Sequence, residues 1–196
     1  MTDTEKRIKN SFSGKGVFPP KYAFTLLIPL RNLFLSPKKL IQRLGLEESH
    51  RVLEVGPGPG YFSLPVSRAL RSGSLVLLDI QQAMLDLAKK RLQKRNVCNV
   101  RYVLCNGDDI NLESASFDRV FMVTVIGEIE NKNQYLKEIH RLLKVDGVLS
   151  ISELAGDPDK LSQEALEALV CSNGFKVAQS FGNKRNYTLN FKKSDI

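Results

Sequence analysis

A glycine-dense turn directly after an apolar run constrains this chain more than any other feature. The run Val52–Val55 ends in Gly56, Gly58 and Gly60, and Tyr61–Leu70 then has the pattern of a helix. Glycine allows a tight turn and lets a ligand approach the backbone closely. The N-terminus of a helix directs free N–H groups at whatever occupies such a turn. The stretch therefore predicts a strand–turn–helix cradle for a small polar molecule.

The spacing of the glycines differs from that of a dinucleotide-binding fingerprint. That fingerprint is G-x-G-x-x-G, whereas the glycines here form G-x-G-x-G, with Glu54 two residues before the first. A second apolar run, Leu75–Leu78, ends at Asp79. An acid at the tip of the strand that follows such a turn is where a ribose diol is held. The spacing therefore disfavours a nicotinamide oxidoreductase, and Asp79 favours a nucleoside-containing ligand.

Strands and helices alternate along most of the chain. Alternation of this kind predicts an α/β fold with a mostly parallel sheet and helices on both faces, closed by a C-terminal hairpin. The predicted strands are Arg51–Val55, Ser74–Asp79, Val100–Cys105, Phe117–Thr124, Val148–Ser152, Lys176–Phe181 and Tyr187–Phe191. Besides the helix after the glycine turn, the predicted helices are one from Ser36-Pro37 to Gly45, then Gln81–Arg95, Gln134–Leu143 and Lys160–Ser172.

Three further motifs accompany the glycine turn. They are Leu78–Leu85, then Asn106–Asp109 before Ser116–Val120, and Glu138–Lys144 before Gly147. With these motifs the chain resembles the class I S-adenosylmethionine-dependent methyltransferases, in particular the quinone-biosynthesis-like branch, over about residues 50–193. The resemblance implies a Rossmann-like, seven-stranded, mostly parallel sheet with an antiparallel C-terminal strand. It implies S-adenosylmethionine as the cofactor and says almost nothing about the methyl acceptor.

The same resemblance assigns roles to the residues at the carboxyl ends of the first strands. Gly56 and Gly58 are expected to pass under the methionine part of the cofactor, and Glu54 to receive its α-ammonium. Asp79 is expected to bind the ribose hydroxyls. Ile80 is expected to lie against the adenine. Asp108, with the Asp109 backbone beside it, is expected to accept from the adenine amino group.

Two glutamates are the candidate catalytic residues. Methyl transfer from a sulfonium relies mainly on positioning, and a base is needed only when the acceptor is a hydroxyl or a carbon acid. Glu128 and Glu153 follow strands four and five, so both are expected at the edge of the sheet that holds the cofactor. A purely structural role for either carboxylate stays open. The two histidines and three cysteines form no metal-ligand pattern.

The basic residues are concentrated at the two ends of the chain. Residues 1–50 carry nine Lys/Arg and four Asp/Glu, and residues 183–196 carry four and one. Residues 51–182 carry sixteen of each. We divide the chain into residues 1–50, a flexible tail with cap or lid helices, and residues 51–196, the methyltransferase domain. The apolar segment Tyr22–Leu35 is expected to cover the carboxyl edge of the sheet as a lid.

The acceptor is expected to be a small molecule or a lipid. Lys184 and Arg185 of the terminal hairpin are expected to face Lys15, Lys21 and Arg31 around one mouth, which favours an anionic acceptor or contact with an anionic membrane. The alternatives are a nucleic-acid or protein methyltransferase, with nucleic acid the weaker prospect, and a cofactor-binding regulatory subunit without catalysis. The chain shows no signal peptide and no membrane-spanning run, and its cysteine usage is typical of the cytoplasm.

Overall fold

The computed structural model describes residues 35–106 and 110–194. Its helices are α1 Pro37–Arg43, α2 Ser63–Ala69, α3 Gln82–Gln93, α4 Lys132–Leu142 and α5 Gln163–Cys171. Its strands are β1 Arg51–Val55, β2 Ser74–Asp79, β3 Val100–Leu104, β4 Phe117–Val123, β5 Leu143–Glu153, β6 Phe175–Gly182 and β7 Tyr187–Lys193. A short 3₁₀ turn, Ile126–Glu128, follows β4.

The seven strands form one sheet in the order β3-β2-β1-β4-β5-β7-β6. All neighbouring strands from β3 to β5 pair in parallel, and β7 is antiparallel to both β5 and β6. The predicted α/β fold is therefore confirmed, including the single antiparallel strand at the C-terminus. Because Tyr187 pairs with both Glu153 and Gly182, the turn between β6 and β7 lies at the carboxyl edge, as predicted.

The strand boundaries agree closely with the prediction except at β5. This strand begins at Leu143 rather than Val148, because Leu143 pairs with Phe117 before the register shifts. Of the residues between the two pairings, 144–146 are exposed, and the Asp146-Gly147 pair after Val145 is typical of a turn, so no strand was predicted there. At its other end β5 includes Glu153, which was expected just beyond the strand.

The sheet is covered on both faces, and its alternating side chains divide the core into two clusters. Leu53 and Val55 pack with residues of α4 and α5, whereas Val52 packs with residues of α1, α2 and α3. Parallel sheets are stable when both faces are buried in this way. The arrangement leaves the carboxyl ends of the strands as the edge at which the connecting loops meet.

Helix α1 is capped at its N-terminus and fixed to the sheet by hydrogen bonds at its C-terminus. Ser36 caps its N-terminus by accepting from the Lys39 backbone N–H (3.3 Å), with Pro37 in the first turn. At its C-terminus, the Arg119 Nε donates to the Leu44 carbonyl (2.7 Å), and the Asn190 side chain donates to the Arg43 carbonyl (2.6 Å). These side chains bind carbonyls that a helix end leaves without intrahelical partners.

The predicted lid lies almost wholly outside the described residues. Only its last residue, Leu35, is described, and it is fully buried in the same cluster as Phe62 and Leu64. The placement of Tyr22–Leu35 over the carboxyl edge stays a prediction, as does the division at residue 50. Within the described residues, no helix has the length and apolar character needed to cross a membrane.

Candidate active site

The glycine turn after β1 has a backbone that only glycine adopts readily. Gly56 has φ +63° and Gly58 has φ +53°, both in the left-handed region. A Cβ on Gly56 would also lie 2.6 Å from Cγ2 of Val125. The Gly56 N–H donates to the Leu78 carbonyl of β2 (2.9 Å), which holds the turn beside the next strand. The turn is therefore fixed in place, with the Val125 side chain packed against Gly56.

Glu54 lies at the carboxyl end of β1, directly below this turn. The residue is only 3% exposed, and its Oε2 has no hydrogen-bond partner within the described part of the chain. Burial raises the pKa of Glu54 to about 8; the nearby Ser63 hydroxyl lowers it and the Asp79 carboxylate raises it further. A buried carboxylate oxygen without a donor is costly unless a ligand supplies one. Glu54 can accept a positively charged donor from a bound molecule.

Asp79 ends β2 and lies next to the glycine turn, as predicted. Burial raises its pKa to about 6, while backbone N–H groups of Gln81, Ile80 and Gly58 lower it. The Gln81 N–H donates to Asp79 Oδ1 at 2.9 Å. These donors fix the carboxylate on the same side as the turn. Ile80 follows it and is buried.

The structure brings together Glu54, Gly56, Gly58, Asp79 and Ile80, whereas the predicted Asp108 and Asp109 lie outside the described residues. It also adds residues that sequence reasoning missed. Val125 packs against Gly56. Tyr135 of α4 is buried, and this burial, together with the nearby Cys105 and Asp79, raises the Tyr135 pKa well above its usual value. Neither belongs to a motif, because each arrives from a distant element through the folding of the sheet.

The two candidate catalytic glutamates lie at the carboxyl ends of the neighbouring strands β4 and β5. The Thr124 N–H donates to the Ser152 carbonyl (2.8 Å) where the two strands end. Glu128 closes the 3₁₀ turn and is half-buried. Burial raises its pKa to about 7, and the carboxylates of Asp157, Asp159 and Asp79 contribute in the same direction. The pair was predicted to share this edge, and the structure places both residues there.

Glu153 is completely buried, and neither of its carboxylate oxygens has a hydrogen-bond partner in residues 35–106 and 110–194. Burial raises its pKa to about 8, and Asp157 and Glu128 raise it further. The Leu161 backbone N–H and the Lys160 ammonium lower it. The Leu161 N–H lies near the carboxylate without reaching hydrogen-bond geometry. A carboxyl with a pKa of about 8 exchanges its proton close to neutral pH.

A loop between β5 and α5, residues 154–162, closes over this pair; we call it the acidic loop. Its Lys160 Nζ donates to the carbonyls of Lys184 (2.8 Å) and Arg185 (2.7 Å), and Tyr187 Oη donates to the Leu161 carbonyl (2.7 Å). A Cβ on Gly127 would collide with the Asp159 carbonyl. The loop is thus fastened to the hairpin turn on one side and rests on the 3₁₀ turn on the other.

The sequence matches the methyltransferase domain family over residues 53–151, which is half of the chain. The chain belongs to the methyltransferase domain family. The match begins at the third residue of β1, includes the glycine turn, Asp79, β4 and Glu128, and ends in β5 two residues before Glu153. The predicted class, an S-adenosylmethionine-dependent methyltransferase, is confirmed together with its cofactor.

The curated relatives of this methyltransferase include two quinone-biosynthesis enzymes. The chain is 30% identical over 113 residues to the ubiquinone/menaquinone biosynthesis C-methyltransferase UbiE of Haemophilus ducreyi, covering 57% of this chain and 44% of that protein. It is 28% identical over 130 residues to UbiE of Pseudomonas entomophila, covering 65% and 51%. The chain therefore spans about half the length of the curated relatives it matches, and the match supports the predicted branch.

Solved structures resemble the fold of this methyltransferase over most of its length. A SAM-dependent methyltransferase from Aquifex aeolicus superimposes with a TM-score of 0.84 at 23% identity, covering 89% of this chain and 98% of that one. A putative S-adenosyl-L-methionine-dependent methyltransferase from Methanococcus maripaludis gives 0.74 at 20% identity, covering 94% and 97%. These likenesses confirm the Rossmann-like methyltransferase fold.

The residues of the methyltransferase site fit the cofactor of the family. S-adenosylmethionine carries an α-ammonium, a ribose diol and a sulfonium. The unpartnered Glu54 Oε2 suits an ammonium, and the backbone-fixed Asp79 carboxylate suits a pair of hydroxyls. Gly56 and Gly58 carry no side chains of their own and adopt positive φ, which lets a ligand approach the backbone of the turn closely.

Proposed function

We propose that this chain transfers the methyl group of S-adenosylmethionine to a small-molecule or lipid-like acceptor. The observation that carries the proposal is that Glu54 and Asp79 lie close together beside the glycine turn. Both carboxylates are buried at adjacent strand ends, and one carboxylate oxygen lacks a donor within the described residues. A site with this shape gains most from a ligand that brings both a positive charge and hydroxyl donors.

In this proposal the cofactor is bound by Glu54, Gly56, Gly58, Asp79 and Ile80, with Asp108 and Asp109 completing the adenine end. When bound, S-adenosylmethionine supplies an electrophilic methyl group on a positively charged sulfur. The protein then contributes mainly position, holding an acceptor atom in line with the methyl carbon. The acceptor would lie over the carboxyl ends of β4 and β5, which flank the cofactor half of the sheet.

Glu128 and Glu153 are the proposed acid–base residues. A carboxyl with a pKa of about 7 or 8 exchanges its proton near neutral pH, whereas an ordinary glutamate stays ionised. Either residue could therefore receive a proton from an acceptor that becomes nucleophilic by losing one. The relatives named for ubiquinone and menaquinone biosynthesis C-methylation support a ring-bearing small molecule as one form of acceptor.

Calorimetric titration tests the cofactor part of the proposal. The full chain should bind S-adenosylmethionine and S-adenosylhomocysteine, and Glu54→Gln should weaken both by about tenfold, because the amide is a poorer acceptor for an ammonium. NAD serves as the comparison ligand. Tighter binding of NAD than of S-adenosylhomocysteine would contradict the assignment. A Glu167→Gln variant, which removes an exposed carboxylate on α5, should bind as the unaltered chain does.

A further inference from the structure

The Glu153 carboxyl is buried at the acceptor end of the sheet without a donor. It is 0% exposed, and both of its oxygens lack a hydrogen-bond partner in the described residues. Burial of a carboxyl that accepts no hydrogen bond costs free energy, whichever protonation state it holds. A residue whose only task was structural would gain from an apolar replacement. Among the described residues, Glu153 therefore has an unfilled place for a hydrogen-bond donor or a cation.

The groups that face Glu153 are mostly acids. Glu128 comes from the 3₁₀ turn after β4, Asp157 from the acidic loop, and Tyr187 from β7. Asp159 and Asp79 face Glu128 in turn. Each of these carboxylates disfavours the charged form of its neighbours. A cation entering between them would relieve this repulsion and supply the missing donor in one step.

The cation that the described residues place nearby is already engaged elsewhere. The Lys160 Nζ donates to two carbonyls of the hairpin turn and lies 5.2 Å from the centre of the Tyr187 ring. It has no hydrogen bond or ion pair of 4 Å or less to Glu153. In the proposed function the cofactor's ammonium binds at Glu54 on β1, and β4 separates β1 from β5. Within the proposed function, the acceptor is the molecule that brings a partner to Glu153.

We propose that the acceptor carries a cationic group, an ammonium, which Glu153 and Glu128 bind. This inference rests on the proposed function, because it takes the β4–β5 edge as the acceptor site. It reverses the anionic acceptor expected from the charges of Lys184 and Arg185. An organic cation is the appropriate class, since the described residues contain no group of three or more His, Cys, Asp and Glu side chains suited to a metal ion.

Three probes of the same ring and similar length test the charge. Tyramine carries an ammonium, para-ethylphenol is neutral, and para-hydroxyphenylacetate carries a carboxylate. Each is titrated at pH 7 into the full chain saturated with S-adenosylhomocysteine, up to roughly 10 mM, where a ligand of millimolar affinity saturates. We expect tyramine to bind about tenfold more tightly than para-ethylphenol, and para-hydroxyphenylacetate to bind weakest, since opposite charges attract strongly in a partly buried site.

Two variants assign the preference to the named residues. Glu153→Gln keeps the size of the side chain and removes its charge, so the tenfold preference for tyramine should disappear. Glu128→Gln should reduce it by a smaller factor, because Glu128 is less buried. Glu167→Gln on α5 controls for net charge and should leave the preference intact. Binding of tyramine at pH 7 should also release protons from the Glu153 and Glu128 carboxyls, because the ammonium favours their ionised forms. Glu153→Gln should reduce that release.

The results separate the two proposals. If S-adenosylhomocysteine binds and tyramine binds no better than para-ethylphenol, or not at all, the cationic acceptor is wrong and the proposed function stands. A preference that survives in Glu153→Gln also overturns the assignment. If S-adenosylhomocysteine itself does not bind to the folded chain, the proposed function fails first. A tenfold preference lost in Glu153→Gln and kept in Glu167→Gln supports the inference.

Discussion

The cofactor half and the acceptor half of this site use the same kind of residue in different settings. At the ends of β1 and β2, Glu54 is buried beside the glycine turn and Asp79 beside backbone N–H donors, all within 28 residues of sequence. At the ends of β4 and β5, Glu128 and Glu153 are surrounded by side chains from the acidic loop and β7. The first half is a local motif, whereas the second is assembled by the fold.

The difference has a physical consequence for ligand binding. Backbone donors stabilise the ionised Asp79, so the cofactor half is prepared for a ligand before it arrives. Glu153 has no donor in hydrogen-bond geometry among the described residues; the Leu161 N–H and Lys160 lie near it, and its other charged neighbours are acids. The ionisation of the acceptor half therefore depends more on the ligand that binds there. Four experiments test this contrast, and they follow in order of expected effect.

The largest effect is expected from Asp79→Ala in the cofactor half. The change removes the carboxylate proposed to bind two hydroxyls, each charge-assisted hydrogen bond being worth roughly 1.5–3 kcal/mol. The dissociation constant for S-adenosylhomocysteine should rise by at least about tenfold, with the circular-dichroism spectrum unchanged. Asp86→Ala, an exposed acid on α3, is the matched control. Equal affinity in both variants would remove Asp79 from the cofactor site.

The second effect concerns how the free energy of unfolding of the chain depends on pH through Glu153 in the acceptor half. The pKa of Glu153 is about 8 in the folded chain and near 4.5 when unfolded. The unfolded state therefore releases its proton first, and the free energy of unfolding falls as pH rises through that window. The limiting slope for this group is about 1.4 kcal/mol per pH unit.

Urea unfolding at pH 5.5 and at pH 7.5 measures this slope. Glu153→Gln removes the titrating group, so the loss of stability between the two pH values should shrink by on the order of 2 kcal/mol. Glu54, whose pKa is also raised to about 8, contributes equally to both chains and cancels in the difference. An identical loss in the variant would show that Glu153 is not held as a neutral acid.

A smaller effect is expected when the acidic loop is released from β7. Tyr187→Phe removes the 2.7 Å hydrogen bond to the Leu161 carbonyl, which is worth about 1 kcal/mol. The loop should then position Asp157 and Asp159 less well, so tyramine should bind more weakly while S-adenosylhomocysteine binds as before. Tyr102→Phe on the distant strand β3 is the control. A loss of cofactor affinity in Tyr187→Phe would mean that the two halves are not independent.

The smallest effect is expected from the charges of the hairpin turn. The side chains of Lys184 and Arg185 are exposed, while their carbonyls bind Lys160. Lys184→Glu with Arg185→Glu should weaken binding to anionic vesicles by roughly threefold at low salt, because exposed charges are well screened, and the difference should vanish at high salt. Equal vesicle binding by both chains at low salt would leave these residues as solubilising charge.

The sequence predicted the fold and the cofactor half well because their signals are local. Apolar runs and glycine turns define β1, β2 and their connections, and Glu54 and Asp79 stand at fixed places relative to them. The number of strands and the antiparallel C-terminal strand followed from the family resemblance. Even the carboxyl-edge position of the hairpin turn was predictable, because β6 had to run parallel to the central strands.

The electrostatic character of the acceptor half could not be predicted in the same way. It depends on the acidic loop packing over Glu128. This packing requires a glycine at position 127, because a side chain there would collide with the Asp159 carbonyl. This character depends also on Lys160, whose ammonium donates to the Lys184 and Arg185 carbonyls rather than to Glu128 or Glu153. Net charge along the chain indicated a basic rim, whereas the environment of Glu153 is set by contacts between residues that no motif links.

The position of β7 between β5 and β6 has a consequence for how the protein is made. A nascent chain that has emerged only as far as Gly182 has an open hydrogen-bonding edge on β5 and no partner for β6, since β7 supplies both. The C-terminus of helix α1 also lacks a hydrogen bond at this stage, because Asn190, 147 residues further along the chain, donates to its Arg43 carbonyl. Unpaired strand edges attract other chains. The ribosome-bound intermediate is therefore the stage at which this protein is most exposed to aggregation, and synthesis of the last strand ends that exposure.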